Sequence, residues 1–100
     1  MDIRITVPHP GDSTALHAVS YAPENPGPGS VRIRHAAIDV NFIDIYHRSG
    51  LYPLPAPHVL GVAAAGVVEA IGAEVAGLRV GDRIVYSGPP VGAYASTRLL

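Results

Sequence analysis

The chain contains no cysteine and no lysine, and only 15% of its 100 residues are charged. Without cysteine there is no disulfide framework and no thiolate metal site. That absence fits a cytoplasmic location, which is the expected one. Without lysine, all cationic side chains are seven scattered arginines, and the formal net charge is −1. No basic run exists to neutralise successive phosphates, so nucleic acid is not an expected partner. No apolar run reaches the roughly 20 residues of a membrane-spanning helix, and no membrane partner is expected. The start, MDIRITV, alternates charged and apolar residues and does not read as a signal peptide. Two catalytic patterns are also missing. Ser49-Gly50 and Ser87-Gly88 are turn sequences, not G-x-S-x-G. The glycine-rich stretch Gly61–Gly72, GVAAAGVVEAIG, lacks the G-x-G-x-x-G spacing that admits a pyrophosphate. None of the five histidines (His9, His17, His35, His47, His58) has a histidine partner three or four residues on, so no metal site is expected from spacing. Only His35 and His47, on neighbouring elements, could approach one another in space.

What is present is enough apolar residue for one domain, at 48% of the chain. Low charge with many alanines and valines points either to surface that is normally covered, by a partner chain or by more of the same chain, or equally to a soluble, lightly charged domain. Ile3, Ile5 and Val7 alternate with Arg4 and Thr6 as in a half-buried strand. Leu16–Tyr21 is a second, blurred strand. Pro23–Ser30, with three prolines and two glycines, is a loop. Ser30–Ala37 is the clearest strand, with Val31 and Ile33 on one face and Arg32 and Arg34 on the other. Tyr52–His58, YPLPAPH, reads as a polyproline-like crossing. Within the apolar run Val59–Ile71, Ala63-Ala64-Ala65 would allow a helix. The β-branched Val67, Val68 and Ile71 and the internal glycines favour a bent strand. Val80-Gly81-Asp82 turns into a strand at Arg83–Tyr86, and Gly92–Leu100 reads as the last strand. Short strands with turn signals every eight to twelve residues predict a mainly β fold, a small β-barrel or sandwich with one short helix.

That helix lies in AAIDVNFIDIYHRSGLY, Ala36–Tyr52. Phe42, Ile45 and Tyr46 fall at helical spacing on one face. Asp39 is placed to cap its start and Gly50 to end it in a left-handed conformation. So short a helix needs packing on a sheet to persist. Asn41 offers both a donor and an acceptor, suited to an amide or a ribose hydroxyl. Tyr46 can donate a hydrogen bond or a proton to a carbonyl. The plainer alternative, Tyr46 packed in the core with its hydroxyl satisfied, stays open.

Taken as motifs, GPGSVRIRHAAIDVNFIDIYHRSGLYPLPAPHVLGVAAAGVVEAIG and VAGLRVGDRIVYSGPPVGAYAS resemble the start of the zinc-free quinone oxidoreductases. These belong to the medium-chain dehydrogenase/reductase superfamily. The resemblance implies that residues 1–100 are a partial N-terminal GroES-like (alcohol-dehydrogenase-like) domain. The Rossmann domain that follows in the family is absent from this chain. It further implies NADPH as cofactor, with the phosphate-binding half outside this chain, and a quinone or activated enone as substrate. A homodimer would be formed by the full-length enzyme. Zinc-dependent relatives carry a cysteine ligand where Asn41 stands, within a V-C-H-T-D-like block that reads Val40–Asp44 here. Their G-H-E block reads Gly61-Val62-Ala63. The resemblance therefore implies no zinc. It places Asn41, Phe42, Ile43 and Tyr46 at the nicotinamide, and Tyr46 and Tyr52 at the substrate, with Asn41 and Tyr46 in the catalytic role of orienting the two. Where this chain has Ala63, the family usually has Glu, which removes a carboxylate from the site.

The implied activity is hydride transfer from NADPH to a quinone or enone without zinc, with this chain alone expected to be inactive. The alternative is a stand-alone GroES-like binding or co-chaperone module, although no long glycine-rich mobile loop is present. A chain of this length with part of a domain has a thin core. Thermal unfolding followed by circular dichroism is expected at a modest temperature, and a cooperative melt at high temperature would contradict that expectation.

Overall fold

The computed structural model describes residues 2–100. Seven strands and one α-helix follow in the order β1 (Asp2–Val7), β2 (His17–Tyr21), β3 (Val31–Ile38), α1 (Phe42–Ser49), β4 (His58–Val59), β5 (Ala63–Ile71), β6 (Arg83–Ser87) and β7 (Thr97–Leu99). A single 3-10 turn, Ser13–Ala15, lies between β1 and β2 and is capped by the Asp12 carboxylate. The fold is mainly β, as predicted.

The strands form two antiparallel sheets, ordered β2-β1-β4 and β6-β5-β3-β7. What joins them is the segment just before β7. The Ile5 N–H donates to the Tyr94 carbonyl at 2.8 Å, and the Ser96 N–H donates to the Ile3 carbonyl at 2.9 Å. On its other side the His35 N–H donates to the Ser96 carbonyl at 2.9 Å. One stretch of backbone thus bonds to β1 in the first sheet and β3 in the second. Tyr21 adds a tie, its hydroxyl meeting both the Thr97 carbonyl and the Thr97 hydroxyl.

β3 is the central strand of the larger sheet, and its sequence alternation explains why. Val31 and Ile33 are buried and form the core cluster with Val68, against which Val75, Leu78 and Ile84 pack. Arg32 and Arg34 face outward and both bond the Glu69 carboxylate, each through Nε at 2.8 Å. Such exposed pairs position side chains more than they stabilise the fold.

Ala63–Ile71 is a strand, not a helix. Its pairing with β3 carries irregularities between Arg32 and Ile33 and between His35 and Ala37. At Gly66 the two backbones come so close that a Cβ would collide with the Arg34 carbonyl oxygen and lie 2.8 Å from Ile33 Cγ2. Glycine is the residue that permits this approach.

Four expectations need correction. First, Asp39 does not cap α1: its N–H is spent on the Ala63 carbonyl at the end of the β3–β5 ladder, and the N-cap is Asn41. Second, the face bearing Phe42, Ile45 and Tyr46 is not a buried seam: Phe42 is 77% exposed and Ile45 exposed, Tyr46 is half-buried like Ile43 and His47, and the buried position is Asp44. The helix is held by polar anchors rather than by an apolar seam. Arg48 Nε donates to the Gly11 carbonyl at 3.1 Å, and the Gly11 N–H returns a bond to the Arg48 carbonyl at 2.9 Å. Third, only Thr97–Leu99 of the predicted final strand is regular. The N–H groups of Gly92 and Ala93 both turn to the Gly61 carbonyl, at 2.9 and 3.2 Å, which takes them out of any ladder. The proline-rich crossing also differs from the expectation at its end, where His58–Val59 pair with β1 as β4.

Gly66→Ala is expected to lower stability by about 2–3 kcal/mol, the cost of overpacking a closed contact. Gly29→Ala, with open space around it, should change stability by less than about 0.5 kcal/mol. Urea denaturation of the two variants beside the parent checks both; equal effects would contradict the close-approach reading.

Candidate functional site

The site is built from the two ends of α1. At its N-terminus the chain reads Asn41-x-x-Asp44, the spacing of a reciprocal cap. Asp44 is 2% exposed, and its Oδ2 accepts the Asn41 N–H at 2.9 Å. The same oxygen accepts the Tyr94 hydroxyl at 2.8 Å. Burial and the adjacent Asp44 carboxylate together push the Tyr94 phenol far up, so it stays a donor. The other carboxylate oxygen, Oδ1, is buried without a partner.

At the C-terminus Gly50 adopts φ 87°, the left-handed conformation the sequence predicts. This reverses the chain so that the Tyr46 carbonyl accepts the N–H groups of Gly50, at 3.1 Å, and Tyr52, at 3.2 Å. The Tyr52 ring is thereby carried back onto Tyr46, edge to face, with centroids 5.3 Å apart at 73°. Tyr52 is 51% exposed. The Tyr46 hydroxyl makes no hydrogen bond among the described residues. Of the predicted residues, then, Tyr46 and Tyr52 are brought together. Asn41 stands at the helix cap, and Phe42 is exposed on the Tyr46 side, one turn away.

Ile43 is turned elsewhere. With His47 it lines a cleft of about 370 Å³ closed by Leu54, Val62 and Pro89–Val91. His47 Nδ1 is buried there without a partner. His35 and His47 do not meet. The His35 ring is held by the Ala95 carbonyl at Nδ1 and by the Tyr86 hydroxyl at Nε2, both at 2.7 Å. A carbonyl can only accept, so Nδ1 carries the proton and Nε2 accepts from Tyr86. His47 instead lies near His58, whose protonation it opposes. Among the described residues no three His, Cys, Asp or Glu side chains come together as metal ligands.

Asp44 and His47 lie in the polar stretch the sequence singles out but receive no assigned role from it, and Tyr94 is not singled out at all. The Asn41-x-x-Asp44 spacing was a usable signal for Asp44. Nothing local pointed to Tyr94, fifty residues on.

With this geometry in view, residues 27–97 match the alcohol dehydrogenase GroES-like domain. The chain belongs to the alcohol dehydrogenase GroES-like domain family. Among its relatives is a quinone oxidoreductase of Pseudomonas aeruginosa, 50% identical over 90% of this chain and 28% of that protein. Quinone oxidoreductase 1 of Escherichia coli is 42% identical over 96% of this chain and 30% of its own length. The crystal structure of the Escherichia coli quinone oxidoreductase complexed with NADPH superposes with a TM-score of 0.93 at 40% identity, covering 98% of this chain and 30% of that one. The chain thus spans about 30% of the length of the curated relatives it matches. Within this GroES-like domain, α1 and the Tyr46–Tyr52 pair lie in the matched region.

Burial holds the His35 imidazole below its ordinary value, with Arg98 adding to the effect and the Ala95 carbonyl opposing it. Burial also lowers His58, helped by His47 and opposed by the Pro55 carbonyl. Both histidines are therefore easier to protonate in the unfolded chain. Stability is expected to be full above the unfolded value near 6.5 and to fall as pH drops through it, until the lowered native values are passed. Urea midpoints between pH 8 and pH 5 check this, and His35→Gln should flatten the slope; a midpoint that is flat or rises toward pH 5 would contradict it.

Proposed function

We propose that this chain is the N-terminal, substrate-side part of an oxidoreductase that moves hydride from NADPH to a quinone or activated enone without zinc. The observation that carries the reading is the Tyr46–Tyr52 ring pair, with Tyr52 half exposed and the Tyr46 hydroxyl without a hydrogen bond among the described residues, at the end of a helix anchored at both ends. The quinone oxidoreductase relatives support it.

Quinone reduction needs two reactants held face to face and a donor for the oxygen that gains charge. NADPH, when bound, supplies the hydride. Asn41 would hold the carboxamide of the nicotinamide, its side chain matching an amide as donor and acceptor. Phe42 would give the ring apolar surroundings that exclude water, while Ile43 lines the neighbouring cleft with His47. Tyr52 offers an exposed ring on which a flat quinone can stack. The Tyr46 hydroxyl would donate to the quinone oxygen as it takes the electron pair, and water would deliver the final proton. The overall change is quinone, NADPH and a proton giving hydroquinone and NADP⁺. Asp44 takes no part in the transfer. It fixes the start of the helix, so Asn41 and Tyr46 keep their places. Zinc independence rests on donor chemistry: Asn41 and Ala63 stand in the two ligand blocks, and neither is a zinc ligand.

The gene product isolated from its own cells is expected to have a mass several times the 10.4 kDa of this chain. It should oxidise NADPH when 1,4-benzoquinone is added, unaffected by a chelator. Tyr46→Phe is expected to lower kcat/KM about 10- to 100-fold, the scale of losing one positioned donor. A product of 10.4 kDa with no NADPH oxidation would overturn the reading and favour a binding module.

A further inference from the structure

A second cleft, none of whose lining residues belongs to α1, is cationic. It has a volume of about 480 Å³, and its lining includes Arg4, Tyr21, Arg32, His58, Thr97 and Arg98. Arg32 is already engaged by Glu69 and by the Glu24 carbonyl. The other cations are not. Arg98 donates through Nη2 to the carbonyls of Pro90 and Val91, but its Nη1 is buried with no partner. No ion pair forms at Arg98 or Arg4 among the described residues. Arg4 lies with its guanidinium carbon 3.9 Å above the Tyr21 ring, which orients the fork without neutralising it. Both ring nitrogens of His58 are buried without a well-formed hydrogen bond, the Pro55 carbonyl alone lying near enough to favour the protonated ring. The one acidic residue of the lining, Glu24, is exposed.

Buried donors without acceptors are costly, and a buried guanidinium without a counter-charge more so. Arg98 on β7 and His58 on β4 are left in that condition, Arg4 on β1 adds to the same cavity a cation outside any ion pair among the described residues, and together they are complementary to a missing acceptor. A planar guanidinium fork matches the paired oxygens of a carboxylate or phosphate. The apolar part of the lining, Val59, Val91 and Leu99, would accept the remainder of such a ligand.

We propose that this cleft binds a small oxyanion, the phosphate or carboxylate group of a small molecule, through Arg98 Nη1, Arg4 and the His58 ring. The site is separate from the Tyr46–Tyr52 pair and does not depend on the quinone reading.

Calorimetric titration of the 100-residue chain with inorganic phosphate, and in parallel with benzoate, at fixed ionic strength, tests it. Saturable one-site binding of either anion is expected. Phosphate binding the tighter would assign a phosphate-bearing ligand, and benzoate the tighter a carboxylate. Arg98→Met and Arg4→Leu should each weaken binding at least tenfold. In the unaltered chain, nuclear magnetic resonance should show shifts concentrated at His58, Thr97 and Arg98 as the anion is added, a readout that needs no variant to fold. No saturable binding of either anion, shifts located elsewhere, or folded Arg98→Met and Arg4→Leu proteins that bind as the parent does, would overturn the proposal.

Discussion

One oxygen of Asp44 sets where the helix sits. A carboxylate that is 2% exposed must be met by donors, because a buried charge without them is strongly unfavourable. Oδ2 is met twice, by the N–H at the helix cap and by the hydroxyl of Tyr94. The first bond begins the helix at Asn41. The second ties it to the stretch of backbone that joins the two sheets. Tyr94 keeps its proton beside that carboxylate, because burial and the Asp44 charge both disfavour the phenolate. A short helix with little stability of its own thus acquires a fixed relation to the barrel. The residues at its ends inherit that fixity.

The second constraint is the contact between β3 and β5. The core cluster of Val31, Ile33 and Val68 is packed where the two backbones approach at Gly66. That approach explains why an alanine-rich run becomes a strand. A helix would satisfy its own backbone groups, but it could not accept the β3 ladder on one side and β6 on the other. Pairing on both edges overrides the local preference of Ala63-Ala64-Ala65.

The low charge of the chain has a visible counterpart on the surface. Phe42, Tyr52, Val80 and Val85 are all more than half exposed. Phe42 and Tyr52 belong to the candidate site, where exposed apolar rings suit a flat redox partner. Val85 lies on β6, the outer strand of its sheet. The cationic cleft stands apart from these apolar positions, and the two regions suit ligands of different chemistry.

Much of the architecture was legible in the residues because it follows from local rules. Alternation at Ile3–Val7 and Val31–Arg34 specified strands, and at Val31–Arg34 the buried face as well, whereas in β1 Val7 is buried and Ile3 is exposed. Gly50 marked the helix end, since only a residue without a Cβ enters the left-handed region freely. The motif around Asn41–Tyr52 pointed to the family that residues 27–97 match. Other features depended on groups distant in sequence. Asp39 and Asn41 are both good caps locally, but the bond from the Asp39 N–H to the Ala63 carbonyl keeps Asp39 extended at the end of the β3–β5 ladder, so the helix starts after Asn41. The outward turn of Phe42 was settled by Tyr94 and Gly11, which hold the opposite side of the helix. The meeting of Arg4, His58 and Arg98 at one cavity, from three strands, is a product of sheet topology alone. Short-range sterics and periodicity are written in neighbouring residues, whereas the choice among equally good local partners is made by long-range hydrogen bonds that exist only once the chain is folded.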